Sequence, residues 1–578
     1  MSLSYWLRRG LVAAWLGICA LGSHGQTPLP QPQLPPLTPP PGSVPQPAEL
    51  QRRALPERST DSQVPAAPVP RELGKPGEEL TIDVTAYSVD ESAPAPLRAA
   101  LPGLTERFAG PGRSYEDLVN AASAVTRYLQ RELGYYLGYA YLPEQVPVGG
   151  VIRIAVLEGR LDEVILNWPD KMPVDRAVVE AYLARLVPGE ILRVRDVERI
   201  VFLVNDLRGL NARFEVKAGR TPGTASLVVT AQPEERVTSR IEIDSMGSRY
   251  SGVWRANAQA TVASPAGRGD GLVVNVLSSF TGGLQFLLGG YTLPVGSDGL
   301  KLGVSGSYTR YDLDEDLLDV KLSGDATTIT VYGLYPVIRS RNLNLFGLVS
   351  LDNKHFNDKL FGTTQKKSSN DLTLSVSGDA RDDLLTGGVN TFELIALHGK
   401  LDYAGQRATA NPSSFSLIRL YGSRLQNLIN NRLLLLGSFR GQYAFDNLDS
   451  TEQFQLGGPD RVRAFAPGEG TGDTGLVGSL ELRYLPPEEW FGRIARELVF
   501  SGFFDVGTIQ FRHKPTDVDL QQETFVNRST LTGIGFGAVW DRPRDFSARL
   551  SVAFPLSGEA INDTKKSPRI YFLANKTF

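Results

Sequence analysis

Along the C-terminal part of the chain, apolar and polar side chains alternate one by one. In residues 548–554 one face is apolar, while Arg549 and Ser551 lie on the other. Residues 479–484 repeat this pattern, with Leu480, Leu482 and Tyr484 on one face and polar residues between them. A period of two is that of a half-buried β-strand, and glycine-rich turns interrupt it at intervals of about twenty residues. The pattern predicts successive β-strands beyond residue 240.

Two kinds of protein have such strands: a soluble β-sandwich, whose polar face meets outside water, and a membrane barrel, whose polar face lines the lumen. Mean hydropathy is slightly negative, which does not exclude a barrel, because alternating strands average to neutral hydropathy. Residues 234–578 span roughly 340 positions, and at roughly 21 residues per strand and connection they hold about 16 strands. We therefore predict a mostly β fold with a transmembrane antiparallel β-barrel at residues 234–578.

The last residues form one more alternating segment. Ile570, Phe572, Ala574 and Phe578 share a face, and the chain ends at an aromatic side chain. This ending resembles the C-terminal signal by which the barrel assembly machinery of the bacterial outer membrane recognises its substrates. A terminal phenylalanine on an edge strand can also arise by chance. The resemblance implies two partners, the assembly machinery and outer-membrane lipid.

Helical periodicity appears only before the barrel. In residues 79–160 a strand at 80–84 is followed by a helix, which opens with a capping box of Ser114 and Asp117 and ends near Gly134. Two strands, at 139–142 and 151–156, could pair beside the first. Residues 161–233 give a second α+β unit, with helices at 174–186 and 194–207 between strands. The two units resemble POTRA domains, which bind extended polypeptides in front of outer-membrane barrels; the alternative is two unrelated α+β domains.

The N-terminus has the pattern of a secretory signal: Arg8 and Arg9, an apolar stretch from Leu11 to Leu21, then small residues. We predict a signal peptide at residues 1–25. Lipidation of Cys19 is the alternative, although Ile18 is large for the residue before a lipoprotein cysteine. Residues 26–78 are rich in proline and predict a disordered linker or plug tether, with a proline-rich ligand segment as the alternative. Cys19 is the only cysteine, so the mature chain has no disulfide.

Charge and local motifs exclude several activities. The net charge of −3 comes without a basic run, so we expect no nucleic-acid partner. Residues 470–475 match G-x-G-x-x-G but lead into a predicted strand, whereas a dinucleotide site opens a helix. The acidic run 312–316 lacks the glycine and distal glutamate of a calcium loop. The histidines lack metal-site spacing, and no nucleophile elbow appears. We expect no enzyme activity, cofactor or metal.

Two further motifs lie in the predicted barrel. Residues 457–465 contain Val462, Arg463, Ala464 and Phe465, and residues 503–507 contain Phe503, Asp505 and Gly507. The first resembles the sixth-loop motif V-R-G-Y/F, and the second the strand motif F-x-D-x-G, of the outer-membrane transporters of two-partner secretion. These form the TpsB family, of haemolysin secretion/activation type, in the POTRA and β-barrel superfamily shared with BamA.

The resemblance covers nearly the whole chain after residue 79 and implies that a long loop folds back into the lumen, where Arg463 pairs with Asp505. A guanidinium can engage a carboxylate through two parallel hydrogen bonds, which a lysine cannot. Ala464 departs from the family's usual glycine. If that position required a positive φ, alanine would cost roughly 1 kcal/mol.

The resemblance implies an outer-membrane pore that recognises an unfolded exoprotein, such as an adhesin, haemolysin or toxin, through periplasmic POTRA domains and secretes it. An assembly factor that inserts other barrels is the main alternative. Such factors typically have three or five POTRA domains, whereas two are predicted here. A passive porin would leave the two domains and both motifs without a purpose.

Overall fold

The computed structural model describes residues 81–221, 223–313, 321–360, 363–404, 413–516, 519, 526–560 and 568–578. The predicted signal peptide, the proline-rich segment and Asp314, Glu315 and Asp316 of the acidic run lie outside the described residues. Within the described part, no helix is both long enough and apolar enough to cross a membrane.

The first small domain packs two helices against short strands. Its elements are β1 (Thr81–Val84), β2 (Ala86–Ser88), α1 (Ala95–Thr105), a 3₁₀ turn (Glu106–Phe108), β3 (Gly110–Ser114), α2 (Tyr115–Arg131), β4 (Tyr139–Tyr141), β5 (Val151–Arg153) and β6 (Ala155–Leu157). The capping box of α2 is confirmed: the Asp117 amide donates to Ser114 Oγ at 3.2 Å, and the Ser114 amide donates to Asp117 Oδ2 at 3.1 Å. Leu97 of α1 and Val125 and Leu129 of α2 are fully buried in the shared core.

The sequence analysis missed one helix of this domain, and one pairing that it expected is not the one observed. Helix α1 was not predicted, because Pro102 and Gly103 lie within it and both disfavour helix interiors; burial of its apolar face overrides that preference. The strands at 139–142 and 151–156 were expected to pair beside β1. Instead β1 pairs with β3, β5 with β2 and β4 with β6. The predicted strand 151–156 is interrupted at Ile154, whose amide donates to the Ser88 carbonyl at 2.8 Å.

The second small domain follows the predicted order of strand, two helices and two strands. Its elements are β7 (Arg160–Asn167), α3 (Arg176–Leu183), α4 (Val194–Asn205), β8 (Leu210–Ala218) and β9 (Thr224–Pro233). The sheet order is β7-β9-β8, so β8 lies at an edge. Tyr182, Val201, Leu203 and Leu227 form the centre of its core and are at most 1% exposed.

Sixteen antiparallel strands form a closed barrel, as predicted, and the first strand pairs with the last. They are β10 (Val237–Asp244), β11 (Arg255–Ala263), β12 (Gly271–Ser279), β13 (Leu284–Val295), β14 (Leu300–Leu313), β15 (Leu322–Arg339), β16 (Leu343–Leu360), β17 (Thr363–Asp382), β18 (Gly388–Ala404), β19 (Ser414–Ile429), β20 (Leu433–Ala444), β23 (Thr474–Tyr484), β24 (Leu498–Gln510), β25 (Arg528–Arg542), β26 (Phe546–Ser557) and β27 (Arg569–Thr577). Outward positions such as Leu480, Leu482 and Phe504 are exposed and apolar, whereas inward Asp505 is completely buried. The alternation therefore separates a lipid-facing surface from a lumen.

The second small domain forms ion pairs with one rim of the barrel. Arg339, at the end of β15, donates through Nη2 to Asp206 Oδ1 at 2.7 Å and through Nε to Asp206 Oδ2 at 3.0 Å. Its guanidinium also lies 4.6 Å from the ring centroid of Phe202 in α4. Arg199 of α4 donates to Asp298 Oδ1, in the turn between β13 and β14, at 3.1 Å. These contacts place the second small domain against the turns of this rim.

Burial of Asp298 opposes its ionisation, but hydrogen bonds from Tyr335 and Arg199 outweigh that effect and hold the pKa of Asp298 below its ordinary value. Asp298 is therefore charged at neutral pH and attracts the arginines of the second small domain.

Candidate functional site: the lumen loop

The connection between β20 and β23, residues 445–473, folds back into the barrel; we name it the lumen loop. A small hairpin of β21 (Phe454–Gln455) and β22 (Thr471–Gly472) closes it on itself. Its apolar residues pack with inward residues of β23, β24, β25 and β26 in one buried cluster: Phe454, Leu456, Val462, Ala464 and Phe465 from the loop, and Val477, Phe503, Ile509, Leu531 and Ala553 from the wall. The loop therefore has a defined seat on this part of the wall.

Arg463 of the loop and Asp505 of β24 meet in the fork geometry that the sequence motifs suggested. Arg463 Nε donates to Asp505 Oδ2 at 2.9 Å, and Nη2 donates to Asp505 Oδ1 at 2.8 Å. The Arg463 backbone amide donates to the same carboxylate at 3.1 Å. The Asp505 side chain is 0% exposed and that of Arg463 is 15% exposed. Little water screens the pair, so the charges interact more strongly than on a protein surface.

Sequence reasoning did not assign the other partners of Arg463. Its Nη1 donates to Glu481 Oε2 at 2.7 Å, and its Nη2 donates to Ser479 Oγ at 2.9 Å. Ser479 in turn donates to Asp505 Oδ1 at 2.7 Å. The alternation of polar residues in 479–483 indicated that these side chains face the lumen, but it did not indicate which cation they meet. The guanidinium is held by two carboxylates and a hydroxyl, not by one carboxylate alone.

Phe503 and Gly507, on either side of Asp505, shape the rest of the seat. The Arg463 guanidinium lies 3.3 Å from the Phe503 ring centroid, a cation–π contact. A Cβ at Gly507 would lie 2.5 Å from Leu456 Cδ1 and 3.0 Å from Val462 Cγ2. A glycine is needed there because the loop approaches the wall so closely. Each residue of the F-x-D-x-G pattern thus has its own contact with the loop.

The doubt about Ala464 does not apply to this chain. Ala464 is not among the non-glycine residues with positive φ, so its backbone carries no such strain. Its side chain is 3% exposed, and a Cβ at Gly533 of β25 would lie 2.5 Å from the Ala464 methyl. Gly533 on the wall therefore leaves room for the methyl group of Ala464.

Val462 and Phe465 complete the motif as buried apolar residues, 0% and 5% exposed. The Phe465 carbonyl accepts a hydrogen bond from Tyr571 Oη at 3.0 Å. Tyr571 lies on β27, so the motif also touches the last strand of the barrel. The sequence analysis did not find this contact. Alternation places Tyr571 on the inward face of the last strand but does not indicate which residue it meets there.

A second set of charges holds the beginning of the lumen loop against other strands. Glu452 accepts hydrogen bonds from Lys354 Nζ at 2.6 Å and from Arg419 Nη2 at 2.9 Å. Lys354 also contacts Asp371 Oδ2 at 2.7 Å. Asp449 accepts from Lys367 Nζ at 2.8 Å. The loop is therefore fixed electrostatically to β16, β17 and β19 as well as to β23 and β24.

The residues of the proposed assembly signal lie on β27 and directly after it. Ile570 and Phe578 are exposed outward, at 61% and 60%. Phe572 lies 6.0 Å from Trp254, measured between ring centroids. The Phe578 amide donates to the Ser239 carbonyl at 2.8 Å, next to the seam between β10 and β27.

The remaining glycine pattern, residues 470–475, passes through β22 and enters β23. As expected, it does not open a helix.

Comparison with known proteins adds independent information. The family model described as "Haemolysin secretion/activation protein ShlB/FhaC/HecB" matches residues 223–538. The model "POTRA domain, ShlB-type" matches residues 82–159. The heme/hemopexin transporter protein HuxB of Haemophilus influenzae (strain 86-028NP) is 25% identical over 84% of this chain and 86% of its own length. The outer membrane transporter CdiB of Dickeya dadantii (strain 3937) is 26% identical over 74% of this chain and 75% of its own.

The fold is similar to that of a solved transporter. The structure of CdiB from Escherichia coli superposes with a TM-score of 0.69 and 20% identity, covering 92% of this chain and 97% of that one. At this identity the likeness concerns the fold alone.

Proposed function

The chain belongs to the haemolysin secretion/activation (ShlB/FhaC/HecB) family, and from this premise we propose how its client passes through the barrel. The protein is an outer-membrane transporter of the two-partner secretion type, with its POTRA region in the periplasm. It translocates an exoprotein across the outer membrane. The assembly-factor and porin alternatives are less well supported, because the matched family consists of secretion proteins.

The client that we propose is a large secreted protein of the adhesin, haemolysin or toxin type. Of the two relatives named above, HuxB is a heme/hemopexin transporter protein and CdiB is an outer membrane transporter. The client would arrive unfolded and add a strand to an exposed sheet edge of the small domains. Strand β8 lies at the edge of the sheet in the second domain, and this position supports the proposed mode of binding.

Arg463, with Asp505 and its neighbours, is in our proposal the latch of the lumen loop. The observation that carries this proposal is the fork between Arg463 and Asp505, with Glu481 as a second acceptor. Val462, Ala464, Phe465, Phe503 and Gly507 would shape the closed position by packing. Release of these contacts would move the loop and open a path for the client.

The division of the chain also belongs to the proposal. We assign residues 1–25 to a signal peptide, 26–78 to a linker or plug tether, 79–160 and 161–233 to two POTRA domains, and 234–578 to the barrel. Ile570, Phe572 and Phe578 would be read by the barrel assembly machinery, and the outer face of the barrel would contact outer-membrane lipid. Transport would proceed without chemical catalysis or a cofactor.

Deletion of residues 80–232 tests the role of the small domains. The full-length and truncated proteins are each co-expressed with a candidate client, a large secreted protein to be sought in the neighbouring reading frame, and the client is measured in the medium. We expect export to stop, while the purified truncated barrel still conducts ions in a planar bilayer. Undiminished export would refute capture of the client by these domains. A truncated protein that does not conduct would show that the barrel does not form a pore without them.

A further inference from the structure

The turn between β23 and β24, residues 485–497, differs from its neighbours on the same rim. It contains a short helix, α5 (Glu488–Phe491), followed by a 3₁₀ helix (Gly492–Glu497). By contrast, residues 543–545 suffice to connect β25 and β26. Because successive strands alternate in direction, both turns lie on the rim that carries the small domains. This is the periplasmic rim.

Apolar side chains of this turn are largely exposed. Trp490 is 66% exposed, Phe491 44% and Ile494 46%. Two aromatic side chains and an isoleucine within five positions would be an unfavourable surface in contact with water. An exposed group of this kind indicates a surface that is covered in the assembled state.

The exposed rings lie beside the lipid-facing surface of the barrel. The ring centroids of Trp490 and Tyr484 are 6.0 Å apart, and those of Phe491 and Phe500 are 5.8 Å apart. Tyr484 and Phe500 occupy the same outward register as Leu482 and Phe504 on β23 and β24. The apolar side of the turn therefore continues the belt that meets lipid, and it does so at the periplasmic end.

Polar contacts fix the turn in this position. Glu497 accepts a hydrogen bond from Trp540 Nε1 at 2.8 Å and another from Arg542 Nε at 3.1 Å. Arg496 pairs with Glu488 across the turn. Trp540 is an outward residue of β25 and is 38% exposed, so Glu497 and its partners lie at the edge of the same lipid-facing surface. This is the pattern of an interfacial segment, in which tryptophan lies at the headgroup level.

We propose that residues 488–497 form an interfacial anchor, which inserts Trp490, Phe491 and Ile494 into the periplasmic leaflet of the outer membrane. Phospholipid is the occupant that we assign to this surface, because the patch is continuous with the lipid-facing belt. The anchor sits between the two strands that carry Glu481 and Asp505, so it fixes the depth in the membrane of the wall segment that holds the lumen loop.

Site-directed spin labelling tests this proposal with the full-length protein. Cys19 is the only cysteine of the chain and lies in the proposed signal peptide, so each introduced cysteine is the single labelling site of the mature protein. Labels are introduced by Trp490→Cys and Ile494→Cys, and by Glu489→Cys and Arg493→Cys as matched charged positions of the same turn. The protein is reconstituted in phosphatidylethanolamine and phosphatidylglycerol vesicles. Collision with oxygen and with a water-soluble nickel complex then reports the depth of each label.

We expect labels at 490 and 494 to lie about 5 to 10 Å below the headgroup boundary, and labels at 489 and 493 to lie at or above it. Leu480→Cys supplies a reference inside the lipid belt, and Val146→Cys, at a position 89% exposed in the first small domain, supplies a reference in water. Every labelled protein is first checked for the gel shift between unheated and heated samples, which confirms a folded barrel.

Nickel access at 490 and 494 equal to that at position 146 would overturn the proposal and leave a protein partner as the occupant of the patch. Equal depth at all four turn positions would overturn the assigned orientation. Neither result depends on the client, so failure here is distinct from failure of the proposed secretion function.

Discussion

Replacing Arg463 with alanine is the most informative single change in the lumen loop. It removes the fork to Asp505 and also the contacts to Glu481 and Ser479. The Asp505 carboxylate, which is 0% exposed, would keep Ser479 and the backbone amide of residue 463 as donors but lose its cation. The substitution should favour states in which the loop has left the wall and water reaches Asp505.

The size of the effect follows from burial. Removing one member of a buried ion pair costs about 3 to 5 kcal/mol. Since the side chain of Arg463 retains 15% exposure, we expect the lower end, about 3 kcal/mol, which is about a hundredfold change in the ratio of seated to released loop. Asp505→Asn leaves Arg463 paired with Glu481, so we expect a smaller loss of about 1.5 kcal/mol.

Single-channel recording in planar bilayers measures this ratio as the occupancy of open and closed levels. The two single variants and the double variant form a cycle, and we expect a coupling energy of about 1 kcal/mol or more. Arg483→Ala is the matched control, because Arg483 contacts Glu481 at 2.9 Å with 33% of its side chain exposed, and its loss should change the ratio by less than about 0.5 kcal/mol. Additive effects, or an unchanged open fraction in both single variants, would show that the pair does not hold the loop closed.

Three further changes probe the seat, the second charge cluster and the terminus. Gly507→Val should lower the occupancy of the closed level by about 1 to 3 kcal/mol, because its side chain would overlap Leu456; an unaltered closed level would contradict the close approach. Lys354→Met leaves two buried carboxylates without this cation and should destabilise the seated loop by about 3 to 5 kcal/mol, seen as a higher open fraction, whereas unchanged channel behaviour would argue against a second anchorage. Deletion of Phe578 should reduce the amount of heat-modifiable barrel in outer membranes, and a normal amount would show that the terminal residue is not read during assembly.

Much of the architecture was accessible from local patterns. Alternation in segments such as 479–484 predicted the strands and their two faces, because neighbouring side chains on a strand must point to opposite sides. Ser114 and Asp117 predicted the start of α2 through contacts three residues apart. Arg463 and Asp505 could be paired because two short motifs resembled those of a known family, although neither motif alone indicated the geometry.

Other features depend on residues that are distant in sequence and adjacent only after the barrel closes. Alternation identified Glu481 as an inward residue but could not assign Arg463 to it, since any cation of the lumen would satisfy the same pattern. The contact of Lys354 with Glu452 joins strand and loop across 98 positions, for which the sequence has no periodic signal.

The tertiary structure also decided matters of shape. Alanine at position 464 would strain the backbone if φ were positive there. The structure shows no such strain, and the Ala464 methyl group fits against Gly533 on the wall. Helix α1 formed despite Pro102 because burial of Leu97 and Leu101 outweighs its weak intrinsic propensity. The sequence by itself therefore determined which elements form a barrel and which side chains face lipid or lumen. Only packing in three dimensions decided how the loop is seated, because complementary volumes and charge partners are properties of the closed structure.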